Sequence, residues 1–265
     1  MNYESINNIW ILTKKNITLY IKKGPVLIFG LMFPFFMVIS WILGRSISVG
    51  QIFIGIIAMT SFFTATAVSP VILPIETREK SLERILSAPL SLNEILLGIT
   101  LASTLYSVII TSIIAITFII LFPAIMSAPF SLFLTFLGIL LMGILGSLMG
   151  LLLSAKPTDQ TSDIMVLMNL IKFPLLFIGG IFIPLKEIPP SVAFVYLISP
   201  LTFLTELLRS AVNQSNIVSS EISVLILCIW VVVLFVINYI LHRKTMPKRF
   251  SETGGSPKMM MMKKQ

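Results

Sequence analysis

Runs without a charged side chain alternate along the chain with short clusters that hold nearly all of its charge. The uncharged blocks are residues 24–44, 46–75, 95–155, 164–185 (interrupted only by Lys172) and 222–242. A helix needs ~20 apolar residues to cross ~30 Å of hydrocarbon. The 61-residue block 95–155 therefore holds two spans, and Pro123 and Pro129 mark the turn between them. The pattern predicts an all-α polytopic membrane protein with six transmembrane helices, at about 26–44, 51–72, 95–122, 131–154, 164–183 and 222–241. No strand-like alternation favours a barrel, and a spanning backbone must satisfy its own polar groups. One transmembrane domain, 1–245, is expected, followed by a disordered cytoplasmic tail, 246–265.

The segments between spans have patterns of their own. In residues 1–23, Ile6, Trp10, Ile17 and Ile21 fall near one helical face and Asn7, Lys14, Lys15 and Lys22 elsewhere. This predicts a helix in the membrane interface with its lysines near anionic headgroups. The loop 76–94 reads ETREKSLERILSAPLSLNE. Leu82, Ile85 and Leu86 share one face, Glu76, Lys80 and Glu83 form opposite-charge neighbours on another, and Pro89 ends the helix. Ser91 and Glu94 have the spacing of a capping box that starts the third span. The loop is either a solvated connector or a docking element for a cytoplasmic partner. Ser199-Pro200 begins a short outer amphipathic helix between spans five and six. Leu201, Leu204, Leu208 and Ala211 form its apolar face; it is expected to lie on or dip into the outer leaflet, with Glu206 and Arg209 as a weak surface pair.

Within the spans, small residues recur at helix-contact spacing. These are Gly146, Gly150 and Ser154; Ser103, Ser107, Thr111 and Ala115; and Ser61, Ala65 and Ser69. Such stripes allow close helix packing or line a path for cargo. Lys172 stands mid-span, where a cation costs ~2.5–3.5 kcal/mol on the insertion scale. It reads as a contact for an anionic group of cargo, or as a lysine that snorkels or pairs with a polar neighbour such as Asn169.

Composition and charge narrow the class. The chain of 265 residues is 56% hydrophobic and 11% charged, far less charge than a water-facing surface requires. Its net charge of +8 is not a nucleic-acid signal, because the cations flank the spans. With the amino terminus inside, 15 of the 19 Lys and Arg fall in inner segments, 3 in outer ones, and Lys172 within a span. The positive-inside rule then places both termini in the cytoplasm. One cysteine (Cys228) and one histidine (His242) exclude a disulfide framework and a Cys/His metal site. No Gly-Lys pair exists for a phosphate-binding loop, and no hydrolase or protease motif occurs. No carboxylate lies mid-span for an ion-driven carrier. Catalytic and metal-binding residues are therefore not expected.

Three motifs, in order, give the chain a family likeness. They are GIIAM (55–59) with ETREKSLERILSAPLSLNEILLG from Glu76, FPLLFIGGIFIPLKEIP (173–189), and SPLTFLTELLRSA (199–211). Over residues 52–241 the chain resembles the membrane subunit of type-2 ATP-binding-cassette (ABC) exporters, the permease family of daunorubicin-resistance-like, nodulation-factor and O-antigen exporters. It departs from that pattern at Thr77-Arg78-Glu79, where Glu-Arg-Glu is usual, at Ser199 in place of Asn, and at Lys172, where an apolar residue is usual. The resemblance implies a plasma-membrane permease homodimer carrying no cofactor, above two cytoplasmic ATPase subunits that hold ATP and Mg. Residues 78–86 would be the coupling helix, with Arg78, Glu79, Glu83 and Arg84 meeting the ATPase and Leu82 and Leu86 as apolar anchors. Cargo, a drug, lipid or lipid-linked glycan, would pass at the dimer seam near spans two and five. A secondary transporter or channel without an ATPase is the alternative.

Overall fold

The computed structural model describes residues 3–20, 28, 32–44, 46–127 and 130–252. Among them are ten α-helices, and no strand. These are α1 (Tyr3–Tyr20), α2 (Phe33–Ile42), α3 (Val49–Arg78), α4 (Ser81–Ser87), α5 (Leu92–Leu121), α6 (Leu132–Leu153), α7 (Thr161–Phe177), α8 (Pro190–Leu197), α9 (Pro200–Ala211) and α10 (Ser220–Glu252). Helices α3, α5 and α6, and α10 as far as Arg249, are long and apolar enough to cross a membrane.

α3 is the hub, packed by α5, α6, α7, α9 and α2. From Phe53 to Thr77 every residue except Ile56 is buried. Its sequence explains this: Gly55, Ala58, Ser61, Ala65 and Ser69 are small, larger apolar residues fill the positions between, and no face is charged before Glu76. A helix without a polar side has no direction in which to face water and is enclosed.

Lipid tails are as apolar as leucine, so these helices are held by close packing and hydrogen bonds. α6 meets α3 through its glycines. A Cβ on Gly146 would lie 2.6 Å from the Ala65 Cβ; one on Gly150 would lie 2.2 Å from the Ser69 Oγ and 2.8 Å from the Pro70 Cδ. α5 meets α3 through hydroxyls. Ser103 donates to the Ala65 carbonyl (2.5 Å) and Ser107 to the Ser61 carbonyl (2.9 Å), while Thr64 donates to the Ser107 hydroxyl (3.0 Å). The Thr104 and Ser147 hydroxyls, 3.2 Å apart, join α5 to α6.

The expected spans differ from the helices in three places. Of span 26–44, residues 28 and 32–44 are described, with the ten-residue α2 as their helix; the others lie outside the described residues. The fifth span stops at Phe177, because Gly180 takes a left-handed turn (φ 69°) and α9 captures the carbonyls around it. At 1.5 Å per residue, the 17 residues of α7 cover about 25 Å, short of the hydrocarbon thickness. The sixth helix continues beyond the expected end of the domain at 245 to Glu252, because Met246 and Arg249 are buried against the bundle. That part of the expected tail is ordered helix; 253–265 lie outside the described residues.

Gly150→Leu should therefore lower the thermal midpoint of the purified protein sharply, since overpacking costs about 1–3 kcal/mol or more and the neighbour here includes helix backbone. Gly138→Ala, whose Cβ would meet only the flexible end of Leu204 at 3.1 Å, should leave it nearly unchanged. Thermal unfolding in detergent, read by loss of monodisperse protein, checks the pair.

Candidate functional site

The α3–α5 hairpin is built to be stiff. α3 ends at Arg78, and Lys80 takes a left-handed conformation (φ 55°) that reverses the chain into α4. α4 ends before Pro89, and the Ser91–Glu94 capping box starts α5: the Glu94 amide donates to the Ser91 Oγ (3.3 Å) and the Ser91 amide to the Glu94 carboxylate (2.7 Å). α1 ties down both legs. Lys15 donates to the Glu76 carboxylate at 2.5 Å, and Asn8 donates to the Glu94 carboxylate at 3.3 Å. Ser81 closes a further hydrogen bond onto Glu76. α1 lies close on α5, since a Cβ on Gly98 would be 2.7 Å from the Leu12 Cβ. Its other face leaves Tyr3, Ile6, Trp10 and Ile11 exposed.

Arg78, Glu79, Lys80 and Arg84 are exposed on this hairpin, while Glu83 and Leu86 are half-buried. Leu82 corrects the sequence reading. It is 1% exposed and packed among Val71, Ile75 and Ile95, so its apolar side chain anchors α4 to its own bundle and offers no surface to a partner.

Arg249 braces the same end. Its guanidinium donates to the Thr77 Oγ1 (3.0 Å) and to the carbonyls of Ser154, Lys156 (2.5 Å) and Thr158 (3.3 Å). Thus α10 holds the last turn of α3 and the α6–α7 loop together. Nothing in the sequence separates Arg249 from the other cations that follow Leu241; only the fold selects it.

At the opposite end the expected surface pair is overturned. α9 is buried along almost its whole length, with Glu206 and Arg209 at 1% and 2% exposure. The Arg209 guanidinium donates to Gln51 (2.6 Å), to the Gly180 carbonyl (2.9 Å) and to Gln214 (3.4 Å), and its Nε lies 3.5 Å from the Glu206 carboxylate. Glu206 in turn accepts from the amides of Ile217 (2.6 Å) and Val218 (3.2 Å). Burial pulls the guanidinium below the usual arginine range, while Glu206 and Glu187 oppose it. An amphipathic helix can be enclosed in this way because loop backbone supplies partners for its polar face. A polar cavity of about 740 Å³ opens beside this network, lined by Trp41, Gln51, Phe182, Lys186 and Arg209 among others.

Lys172 lies on α7 between these two ends, fully buried (0% exposed). Its Nζ has no hydrogen-bond partner and sits 4.6 Å from the centre of the Phe63 ring. It neither snorkels nor pairs with Asn169, whose Oδ1 is also without a partner. The Phe63 ring packs in turn on Phe33 (5.1 Å between centroids) and Phe173 (6.3 Å). Gly146, Gly150, Ser103 and Ser107 sit in the α3 contacts described above. Among the described residues no group of His, Cys, Asp and Glu could hold a metal.

A bundle of long apolar helices around one enclosed helix, with its charge, Lys172 apart, gathered at two ends, is a polytopic membrane protein. Residues 7–213 match the family model of the ABC-2 type transporter, and the chain belongs to that family, as a membrane permease. No curated protein sequence matches the chain.

Removing one member of the buried pair leaves the other charge unmatched, which costs about 3–5 kcal/mol. Glu206→Gln and Arg209→Met should each lower the thermal midpoint far more than Lys186→Met, whose ammonium donates to Ser215 on the exposed surface. Calorimetry or thermal aggregation of the purified variants checks the ranking.

Proposed function

We propose that this permease forms the translocation path of an export system driven by ATP hydrolysis on separate cytoplasmic subunits. Family membership supports it, and the stiffness of the α3–α5 hairpin carries it. A lever works only if the pushed end cannot bend, and this hairpin is fixed by a capping box, by α1 on both legs and by Arg249 at its base. Arg78, Glu79, Glu83 and Arg84 give an ATPase pair its charged contacts, with Leu86 at their edge. The hairpin and both termini face the cytoplasm, in agreement with the distribution of lysine and arginine. ATP and Mg belong to the partner, whose closure moves two such hairpins in a permease homodimer and biases it between inward- and outward-open states. The cargo is an amphiphile of drug, lipid or lipid-linked glycan type.

The purified chain alone should hydrolyse no ATP. Arg84→Glu and Glu83→Lys should each reduce ATP-driven flux in proteoliposomes by about tenfold or more, with normal insertion and thermal midpoint. Full flux in both variants would remove the hairpin from the coupling path. Flux driven by an ion gradient without any ATPase would replace the reading with that of a secondary transporter.

A further inference from the structure

The buried amine of Lys172 has no acidic partner among the described residues. None of the chain's 11 acidic residues lies within 53–75, 95–121, 132–153, 164–183 or 222–249. Asp163 is exposed at the start of α7, nine positions and about 13 Å of helix rise away. Glu76 and Glu206 are already engaged, by Lys15 and by Arg209. A second copy of the same sequence has no acidic residue within those ranges either. Phe63 offers only the attraction of its ring face. Two polar atoms one turn apart on α7, the Lys172 Nζ and the Asn169 Oδ1, thus remain unmatched in the apolar interior. Unsatisfied buried groups of this kind in a native fold mark an absent partner.

We propose that Lys172, with Asn169 beside it, recognises the anionic headgroup of an amphiphilic cargo. The surroundings favour a molecule that arrives through the membrane. Phe33, Phe63 and Phe173 pack together around the site, and Phe36 on α2, close to the Phe33 face of that helix, is exposed. An apolar tail can lie beside these rings while the headgroup meets the Lys172 Nζ over Phe63. A lysine ammonium is a point charge on a flexible stem, so the site reads charge more than headgroup shape. This identifies a cargo class and rests on the transporter reading above; the binding test needs no ATPase, so the two fail separately.

The test uses the full chain in phosphatidylcholine nanodiscs. Short-chain fluorescent phosphatidylglycerol and phosphatidylcholine with identical tails are titrated against the wild type, Lys172→Met, Lys172→Arg and Asn169→Leu. The wild type should prefer the anionic probe by about tenfold. Lys172→Met should reduce that preference to about twofold or less with the neutral probe unaffected, Lys172→Arg should keep it, and Asn169→Leu should weaken it. Lys172→Met should also raise the thermal midpoint, because a buried unmatched charge has been removed, so its loss of preference is not a loss of fold. An anionic preference that survives in Lys172→Met, or that is missing from the wild type, overturns the proposal. Displacement of the lipid probe by millimolar inorganic phosphate overturns its amphiphile part, since the site would then be reading an anion from water. ATP-driven flux without this preference would sink the cargo assignment alone, and the preference without such flux would sink the transporter reading alone.

Discussion

The contact on which the rest of the bundle depends is the approach of α6 to α3 at Gly146 and Gly150, where no Cβ can stand between the two helices. In a bilayer there is no hydrophobic gain from bringing apolar helices together, so association must come from dispersion at short range and from satisfied polar atoms. The glycines supply the first. The hydroxyls of Ser103, Ser107 and Thr64 supply the second, bonding α5 to α3 backbone and to one another. With α3 gripped on both sides, the helix is enclosed along most of its length despite Pro70 and Pro74 within it. Its two ends then become reference points for everything attached to them.

At one end that rigidity reaches the charged hairpin. Glu76, the first charged residue of α3, is spent on Lys15 of α1, and Thr77 receives Arg249 of α10. Arg78, Glu79 and Lys80 are the first residues after Thr77 whose charges face outward. At the other end, Gln51 near the start of α3 accepts from Arg209 and donates to the Ile181 carbonyl. The same helix therefore touches the braced hairpin at Thr77 and the polar network of α9 at Gln51, about 39 Å apart along its axis. One enclosed helix thus joins the two networks.

Much of this was legible in the sequence, for reasons that differ by element. Charge-free blocks mark α3, α5, α6 and α10 because the bilayer tolerates nothing else, and the Ser91–Glu94 cap is a local signal that needs no tertiary context. The small-residue stripes named faces but not partners; which stripe meets which is decided only by packing. Helix α9 was misread as a surface element because amphipathicity states that two faces differ, not that the polar one meets water. Leu82 was misread for the related reason that an apolar ridge beside charges can turn inward as readily as outward. Arg249 carried no signal, since a buried cation and a solvated one are the same letter, and Lys15, expected near headgroups, is half-buried on Glu76 instead. The burial of Lys172 and Asn169 without partners is likewise a property of the fold alone.

On the proposed function, the α3–α5 hairpin meets a nucleotide-hydrolysing partner on the cytoplasmic side. The most direct measurement places Arg84→Cys in a Cys228→Ser background and treats sealed vesicles of known orientation with a membrane-impermeant maleimide. The account predicts labelling in inside-out vesicles alone, suppressed when the ATPase is bound. Labelling from the outer face, or labelling indifferent to the ATPase, would contradict it.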